Sequence, residues 1–233
     1  MVDIVVVPTL REAASIADLV RGVRAACPDA RVLVVDDASE DGTAERAAAA
    51  GADVLVRRGP RGLGHAYREG FASVLAGPGV RRVVQMDGDG SHDPADVPRL
   101  LAALADADLV LGTRWIAGGD VEGWGVVRHA LSRAGTAWAR GWLGLPLHDL
   151  TGGFKAWRVE LLREVCLRAP TSQGYAFQIE ATAQAVRAGA RVVEVPIRFT
   201  DRAVGRSKMR GGIALEAAWR IPALACGVDT GRA

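Results

Sequence analysis

Lysine is nearly missing from this chain of 233 residues: Lys155 and Lys208 are its only two, and every other basic side chain is arginine. An arginine cluster is therefore weaker evidence of an anion site here than in a chain that uses both cations. The 29 basic residues stand against 27 acidic ones, and a formal charge of +2 is too small to make nucleic acid a partner. Cysteine is scarce too. Cys27, Cys166 and Cys226 are odd in number, scattered and without metal-type spacing, which excludes a disulfide framework and points to a reducing compartment. No uncharged apolar run approaches the ~20 residues of a membrane-spanning helix, and the N-terminus, with Asp3 before a four-residue apolar run, shows no secretory signal. These absences predict a cytoplasmic protein, attached at most to the cytoplasmic face of a membrane.

Two glycine signatures are also missing. A dinucleotide-binding unit would carry Gly-x-Gly-x-x-Gly after its first strand, where this chain has Pro8-Thr9-Leu10-Arg11-Glu12. Gly59 to Gly64 meets only a loose glycine pattern after the third strand and reads as a turn and helix start. Gly-x-x-x-x-Gly-Lys does not occur, which removes a P-loop.

What the chain has is alternation. Ile4 to Val7, Val32 to Val35, Val54 to Val56, Val80 to Val84 and Leu109 to Leu111 are short apolar runs, the pattern of strands buried on both faces. Helices are expected between them: Ser15 to Ala26 with a stripe of Ile16, Leu19, Val20 and Val23, Thr43 to Ala50, Gly62 to about Leu75, and Pro94 to Ala105. The order predicts an α/β fold, a mostly parallel sheet flanked by helices. Further on, Trp115 to Gly125 is a glycine-rich loop and Val126 to Leu143 a long helix. Its stripe of Val127, Leu131, Ala134, Trp138 and Trp142 reads as core, with Arg128 and Ser132 on another face. Gly152-Gly153-Phe154 interrupts the pattern, Arg158 to Leu167 and Phe177 to Ala188 read as helices, and Arg191 to Phe199 as a strand whose Pro196 suits an edge or a strand end. Residues 1–210 form one domain. Residues 211–233 form a C-terminal helix or tail that could pack on it or lie at a bilayer surface.

The chemistry centres on Gln85-Met86-Asp87-Gly88-Asp89-Gly90-Ser91-His92-Asp93-Pro94. Asp87 and Asp89 would point the same way if strand geometry persisted, and both could then ligate one hard divalent cation through oxygen. An ordinary acidic turn is the alternative, since Asp and Gly are turn residues. An EF-hand is excluded because His92 stands where that loop needs glycine and a strand leads in. Pro8-Thr9, Asp36-Asp37, Asp87 to Asp89 and Arg114 all fall at carboxyl ends of strands, where open α/β sheets bind ligands. The loop from Thr200 to Arg210 carries Arg202, Arg206, Lys208 and Arg210, which suits the neutralisation of phosphate charge on closure.

Assembled in order, these residues resemble the polyprenyl (dolichyl) phosphate mannose synthases of glycosyltransferase family 2, with its GT-A fold. The likeness runs through Val7-Pro8-Thr9 with Glu12, Val34-Val35-Asp36-Asp37, Asp41-Gly42-Thr43, Gly62-Leu63-Gly64 with Ala66-Tyr67, Met86-Asp87-x-Asp89, and Gly112-Thr113-Arg114. It continues through Trp124, Arg128 and Ser132, Asp149-x-Thr151-Gly152-Gly153-Phe154, Phe177-Gln178, Glu194-Val195-Pro196, and Arg202 with Ser207-Lys208. The resemblance implies inverting transfer of mannose from GDP-mannose to a polyprenyl phosphate. It implies that Pro8, Thr9, Glu12, Asp36, Asp37, Gly64, Asp87 and Arg114 bind the nucleotide sugar, and that Asp87 and Asp89 hold Mg²⁺ or Mn²⁺. Ser91, where some relatives have a Gln ligand, is the third metal candidate. Asp89, Arg114, Arg128, Arg202 and Lys208 would be the catalytic set, the basic members neutralising donor or acceptor phosphate. His92 reads as a turn residue rather than a base. The same mechanism with UDP-glucose as donor or a specialised metabolite as acceptor is the alternative, and a silent nucleotide-sugar-binding module a more distant one. Arg11 departs from the family's usual Asn, and Gly88 and Gly90 from Ala and Leu. A lipid acceptor would be met through peripheral membrane contact or a membrane-anchoring partner.

Overall fold

In the computed structural model, residues 1–167, 172, 174–201 and 220–225 are described. The strands are β1 (Val2–Thr9), β2 (Ala30–Asp36), β3 (Asp53–Val56), β4 (Val80–Gln85), β5 (Leu109–Thr113), β6 (Asp120–Glu122), β7 (Lys155–Arg158), β8 (Val192–Pro196) and β9 (Arg198–Thr200). The helices are α1 (Ile16–Ala26), α2 (Thr43–Ala49), α3 (Leu63–Ala76), α4 (Val97–Ala103, after a 3-10 turn at Pro94–Asp96), α5 (Val126–Leu143), α6 (Val159–Leu167) and α7 (Gly174–Arg187). Seven strands make one sheet in the order β3-β2-β1-β4-β7-β5-β8, and β6 pairs with β9 in a second, two-stranded sheet.

Alternate residues of each strand feed opposite layers. Ile4 and Val6 of β1 join Tyr67, Phe71, Trp157, Leu162 and Phe177 on one face of the sheet, whereas Val5 and Val7 join Ile16, Val20, Leu100 and Phe154 on the other. A strand with two apolar faces has no polar position to spare, hence the unbroken valine runs. On the α3 side the packing is close. A Cβ at Gly70 would stand 2.8 Å from Val35 Cγ2 and 3.0 Å from Val6 Cγ1, so glycine lets the helix settle onto β1 and β2.

The sheet is mostly parallel, as the alternation predicts, but β7 was not expected as a strand. It runs antiparallel between β4 and β5, with Gln85 opposite Lys155 and Leu111 opposite Lys155 on the other side. Its four residues begin and end on a cation, which hides any strand period. The strand expected over Arg191 to Phe199 is two: β8 closes the sheet at its edge with Pro196 as last residue, and β9 leaves to pair with β6 inside the glycine-rich loop.

The α5 stripe is not core. Val127 is 82% exposed, Leu131 53%, and Trp138 and Trp142 46% each, while the helix buries only Thr136 and Ala139. Of the C-terminal 23 residues only 220–225 are described. They are helical, bury Ile221 and Leu224, and are held by Arg187 Nη2 donating to the Leu224 carbonyl at 2.6 Å.

Lys155 is fully buried. Its Nζ donates to the Gln178 carbonyl at 2.7 Å and to Thr182 Oγ1 at 2.9 Å. Burial lowers its pKa from an ordinary 10.5 to about 7, although Asp149 and Asp87 pull the other way. Between those values the unfolded chain holds a proton that the folded chain has shed, so stability from this group rises as pH climbs from about 7 towards 10.5. Lys155→Met should be more heat-stable than the parent at pH 6. Thr182 still donates to the Gln178 carbonyl at 2.9 Å in the variant, and thermal unfolding at stepped pH should show the advantage shrinking by pH 10.

Candidate functional site

Strand order reverses at β1. The chain moves outward through β2 and β3, then returns to β1's other side as β4, and the two strand ends open a crevice of the kind that binds ligands. Pro8 fits within a central strand because β1 pairs with β4 only as far as Val6, so beyond it no donor is needed on that side.

On the β2 side of the crevice the acidic residues are already engaged. Asp36 accepts from Thr9 Oγ1 at 2.8 Å and from the Ser39 hydroxyl and amide at 2.7 Å each. Asp37 accepts from the Gly62 amide at 2.8 Å and pairs with the buried Arg57, whose other Nη reaches Glu69 Oε1 at 2.7 Å. Burial works against the Arg57 charge, but Glu69 and Asp37 more than offset it and raise its pKa. Sequence reasoning did not single out Arg57. Its only signal is a cation one residue past a strand's end. Glu12 lies in the turn before α1, its amide donating to Thr43 Oγ1 at 2.9 Å, and Gly64 is buried in the first turn of α3.

Strand geometry stops at Gln85, so the strand alternation from which a shared direction of Asp87 and Asp89 was expected does not reach them. They flank a turn at Gly88 instead. The Ser91 amide donates to Asp89 Oδ1 at 3.0 Å, and Ser15 Oγ donates to the Gly88 carbonyl at 2.9 Å. A Cβ on Gly88 would lie 2.8 Å from Thr9 Cγ2, and one on Gly153 would lie 2.7 Å from Asp87 Oδ1. Both carboxylates act on the same two buried rings. Burial lowers the His92 pKa against the pull of Asp87 and Asp89, so the imidazole is neutral near pH 7. Its Nδ1 accepts from the Asp87 amide at 3.2 Å, which puts the proton on Nε2, 4.0 Å from Asp87 Oδ2. Burial, and then the Asp87 charge, hold the Tyr67 phenol well above its ordinary value. Its hydroxyl lies by Gln85 and Asp87 without a hydrogen bond of good geometry. Ser91 Oγ is buried with no partner.

The arginine side is built by β5 and α5. Arg114, buried, forks onto Asp149 with Nε to Oδ2 at 2.6 Å and Nη2 to Oδ1 at 2.8 Å, and its Nη2 also donates to Thr151 Oγ1 at 3.0 Å. Its guanidinium carbon lies 5.3 Å from the ring centroids of Trp115, Trp124 and Phe199. Arg128 packs 4.1 Å from the Trp124 centroid and donates to Asp201 Oδ1 at 2.7 Å. Trp124 thus joins the two arginines into one cationic, aromatic wall. Arg202 and Lys208 lie outside the described residues.

Arg11 has a left-handed backbone, φ 56°. An arginine there costs about 1 kcal/mol relative to a residue that tolerates this region. Arg11→Asn should therefore raise the unfolding free energy by roughly 0.5–1 kcal/mol, read by urea denaturation. The 2.8 Å bond from its amide to Ser39 Oγ is backbone and survives the change.

The model of a family described as Glycosyl transferase family 2 matches residues 4–166. Undecaprenyl-phosphate mannosyltransferase of Micrococcus luteus is 45% identical over 217 residues, covering 91% of this chain and 89% of that protein. Polyprenol monophosphomannose synthase of Mycolicibacterium smegmatis is 43% identical over 225 residues, covering 94% and 84%. Among solved structures, glucosyl-3-phosphoglycerate synthase from Mycobacterium tuberculosis, in complex with Mn²⁺, uridine diphosphate and glucosyl-3-phosphoglycerate, superposes with a TM-score of 0.72. It is 24% identical, with 98% of this chain and 81% of that one covered. The family match and the length over which both relatives align place the chain among its members: it belongs to glycosyltransferase family 2, on a GT-A fold.

Proposed function

We propose that this chain transfers mannose from GDP-mannose to a polyprenyl phosphate, with inversion at the anomeric carbon. The observation that carries this reading is the acidic turn at the sheet's switch point, facing an arginine-bearing strand end, in a chain whose relatives are named for mannosyl transfer to polyprenyl phosphates. Residues 1–210 are the catalytic domain in this reading, and 211–233 a tail.

Asp87 and Asp89 with Ser91 Oγ form a set of hard oxygen donors, which fits Mg²⁺ or Mn²⁺. Among the described residues no group of three His, Cys, Asp or Glu gathers to hold a metal, so donor oxygens and water would supply the remaining ligands. A divalent cation bound there offsets the negative charge of the leaving diphosphate. Pro8, Thr9, Glu12, Asp36, Asp37 and Gly64 line the nucleoside side. Arg114, Arg128, Arg202 and Lys208 neutralise donor or acceptor phosphate, with Arg114 and Asp87 also on the nucleotide-sugar side. An acceptor oxygen then forms the bond to the anomeric carbon as the bond to the diphosphate breaks, and GDP leaves with the electron pair. The attacking phosphate is already ionised near neutrality, so no base is required, and a neutral His92 is consistent with that. The work is positioning and electrostatics.

The exposed stripe of α5 supports a lipid acceptor. Val127, Leu131, Trp138 and Trp142 lie on a helix that has Arg128, Arg133 and Arg140 and no acidic residue, a composition suited to peripheral contact with an anionic bilayer. No helix among the described residues is long and apolar enough to cross a membrane.

The test is direct. GDP-mannose, Mg²⁺ and a short polyprenyl phosphate should yield mannosylated lipid, and a parallel screen with UDP-glucose decides the donor. Nucleotide binding without product from any donor would instead make the chain a silent binding module. Asp89→Ala should abolish turnover and lower the melting temperature by only a few degrees, because a hydrogen bond such as that from the Ser91 amide, at a partly exposed turn, contributes about 1 kcal/mol. Undiminished turnover would reject the metal assignment. Gly153→Ala should displace the Asp87 carboxylate from a site where a Cβ would sit 2.7 Å away, and should raise the metal concentration needed for half-maximal rate.

A further inference from the structure

We propose that a cavity between α5 and the segment ending at His148 binds a phosphate-type anion, at a site additional to the donor site at Asp87 and Asp89. The cavity encloses about 350 Å³ and is lined by Trp115, Arg133, Thr136, Ala137, Arg140 and His148 among others. Its cations are placed by one helical face. Positions 133, 136, 137 and 140 recur every three or four residues, so both guanidiniums flank the same opening with Thr136 between them.

Three observations select an anion. Among the described residues no carboxylate lines the cavity, and no ion pair is made by Arg133 or Arg140. Arg133 has one described contact, to the Trp115 ring at 5.8 Å. Thr136 is only 4% exposed, and its hydroxyl is buried with no hydrogen-bond partner. The Trp115 indole nitrogen, which can only donate, is buried without a partner as well. Buried polar groups are rarely left unmatched, and the exposed guanidiniums of Arg133 and Arg140 line the same opening on either side of Thr136. His148 spends Nδ1 on Glu194 Oε2 at 2.7 Å, which leaves Nε2 as a further polar atom at the rim. The wall therefore offers donors from several directions and almost no acceptors, which matches a tetrahedral phosphate better than a flat carboxylate.

Nothing here depends on the donor and acceptor assigned above. Trp115 is also 5.3 Å from the Arg114 guanidinium, but the cavity shares no lining residue with the acidic turn or with Arg114 and Arg128. The phosphate could be free in solution or the headgroup of an anionic lipid, since the exposed Leu131, Trp138 and Trp142 lie on the same helix.

The experiment uses the whole chain, with inorganic phosphate followed by titration calorimetry and phosphatidylcholine vesicles, with and without phosphatidylglycerol, followed by co-sedimentation. Arg133→Gln/Arg140→Gln should bind at least about tenfold more weakly than the parent, and Thr136→Val several-fold more weakly, as expected for lost charge-assisted and neutral hydrogen bonds. Inorganic phosphate binding with that dependence identifies a free anion. Dependence seen only with phosphatidylglycerol vesicles identifies a lipid headgroup. The proposal is overturned if the parent binds neither probe, or if the variants bind as the parent does. Tungstate soaked into crystals of the unaltered protein guards against a misfolded variant: an anomalous peak between Arg133 and Arg140 supports the site, and peaks only elsewhere overturn it.

Discussion

Asp87 occupies a slot that exists because two neighbouring positions have no side chain. A Cβ at Gly153 would stand 2.7 Å from one carboxylate oxygen, and a Cβ at Gly88 would stand 2.8 Å from Thr9 Cγ2 and 3.0 Å from the Pro8 carbonyl. The acidic turn is thus wedged between the end of β1 and the segment before β7. That second wall is there because β7 runs antiparallel. A strand parallel to β4 would begin at the opposite edge of the sheet, whereas β7 sets Lys155 against Gln85 and so delivers Gly152 to Phe154 beside the carboxyl end of β4. The one strand that breaks the parallel rule is the one that encloses the site.

Around that slot charges fall into two groups. Asp36, Asp37 and Asp149 are engaged by Thr9, Ser39, Arg57 and Arg114. Buried pairs of this kind add little net stability because desolvation consumes most of the Coulomb gain, but they fix side-chain directions. Glu194 extends the fixed set, its Oε1 accepting from Thr113 Oγ1 at 2.8 Å and from the His148 amide at 2.9 Å. Asp87 and Asp89 form the other group. Both act on the buried His92, which burial keeps neutral near pH 7, and on the buried Tyr67.

The sequence made the first five strands legible because burial on both faces leaves an unbroken apolar run. The α1 stripe was equally plain, with Ile16, Leu19, Val20 and Val23 all buried. Other features were hidden for physical reasons. Lys155 and Arg158 bound β7, and no period shows that tertiary contacts will bury the lysine. Asp87 and Asp89 were read from strand alternation, yet the strand ends at Gln85 and they lie in a turn. The α5 stripe has the spacing of a core face and is exposed, because periodicity reports that a helix has two faces and is silent on what the apolar one meets. Arg57 carries the charge that engages Asp37, and a cation one residue past a strand's end does not stand out among so many arginines.

The scarcity of lysine sharpens one placement. Arg57 and Arg114, the buried arginines among the described residues, each face a carboxylate. Lys155 is also fully buried, but it bonds to a carbonyl and a hydroxyl. An arginine in that position could not shed its proton and would hold a full charge on neutral acceptors, at a cost of several kcal/mol. A lysine can lose its charge there, with a pKa of about 7. In a chain that otherwise relies on arginine, lysine stands where burial requires a cation that can become neutral, within the field of Asp149 and Asp87.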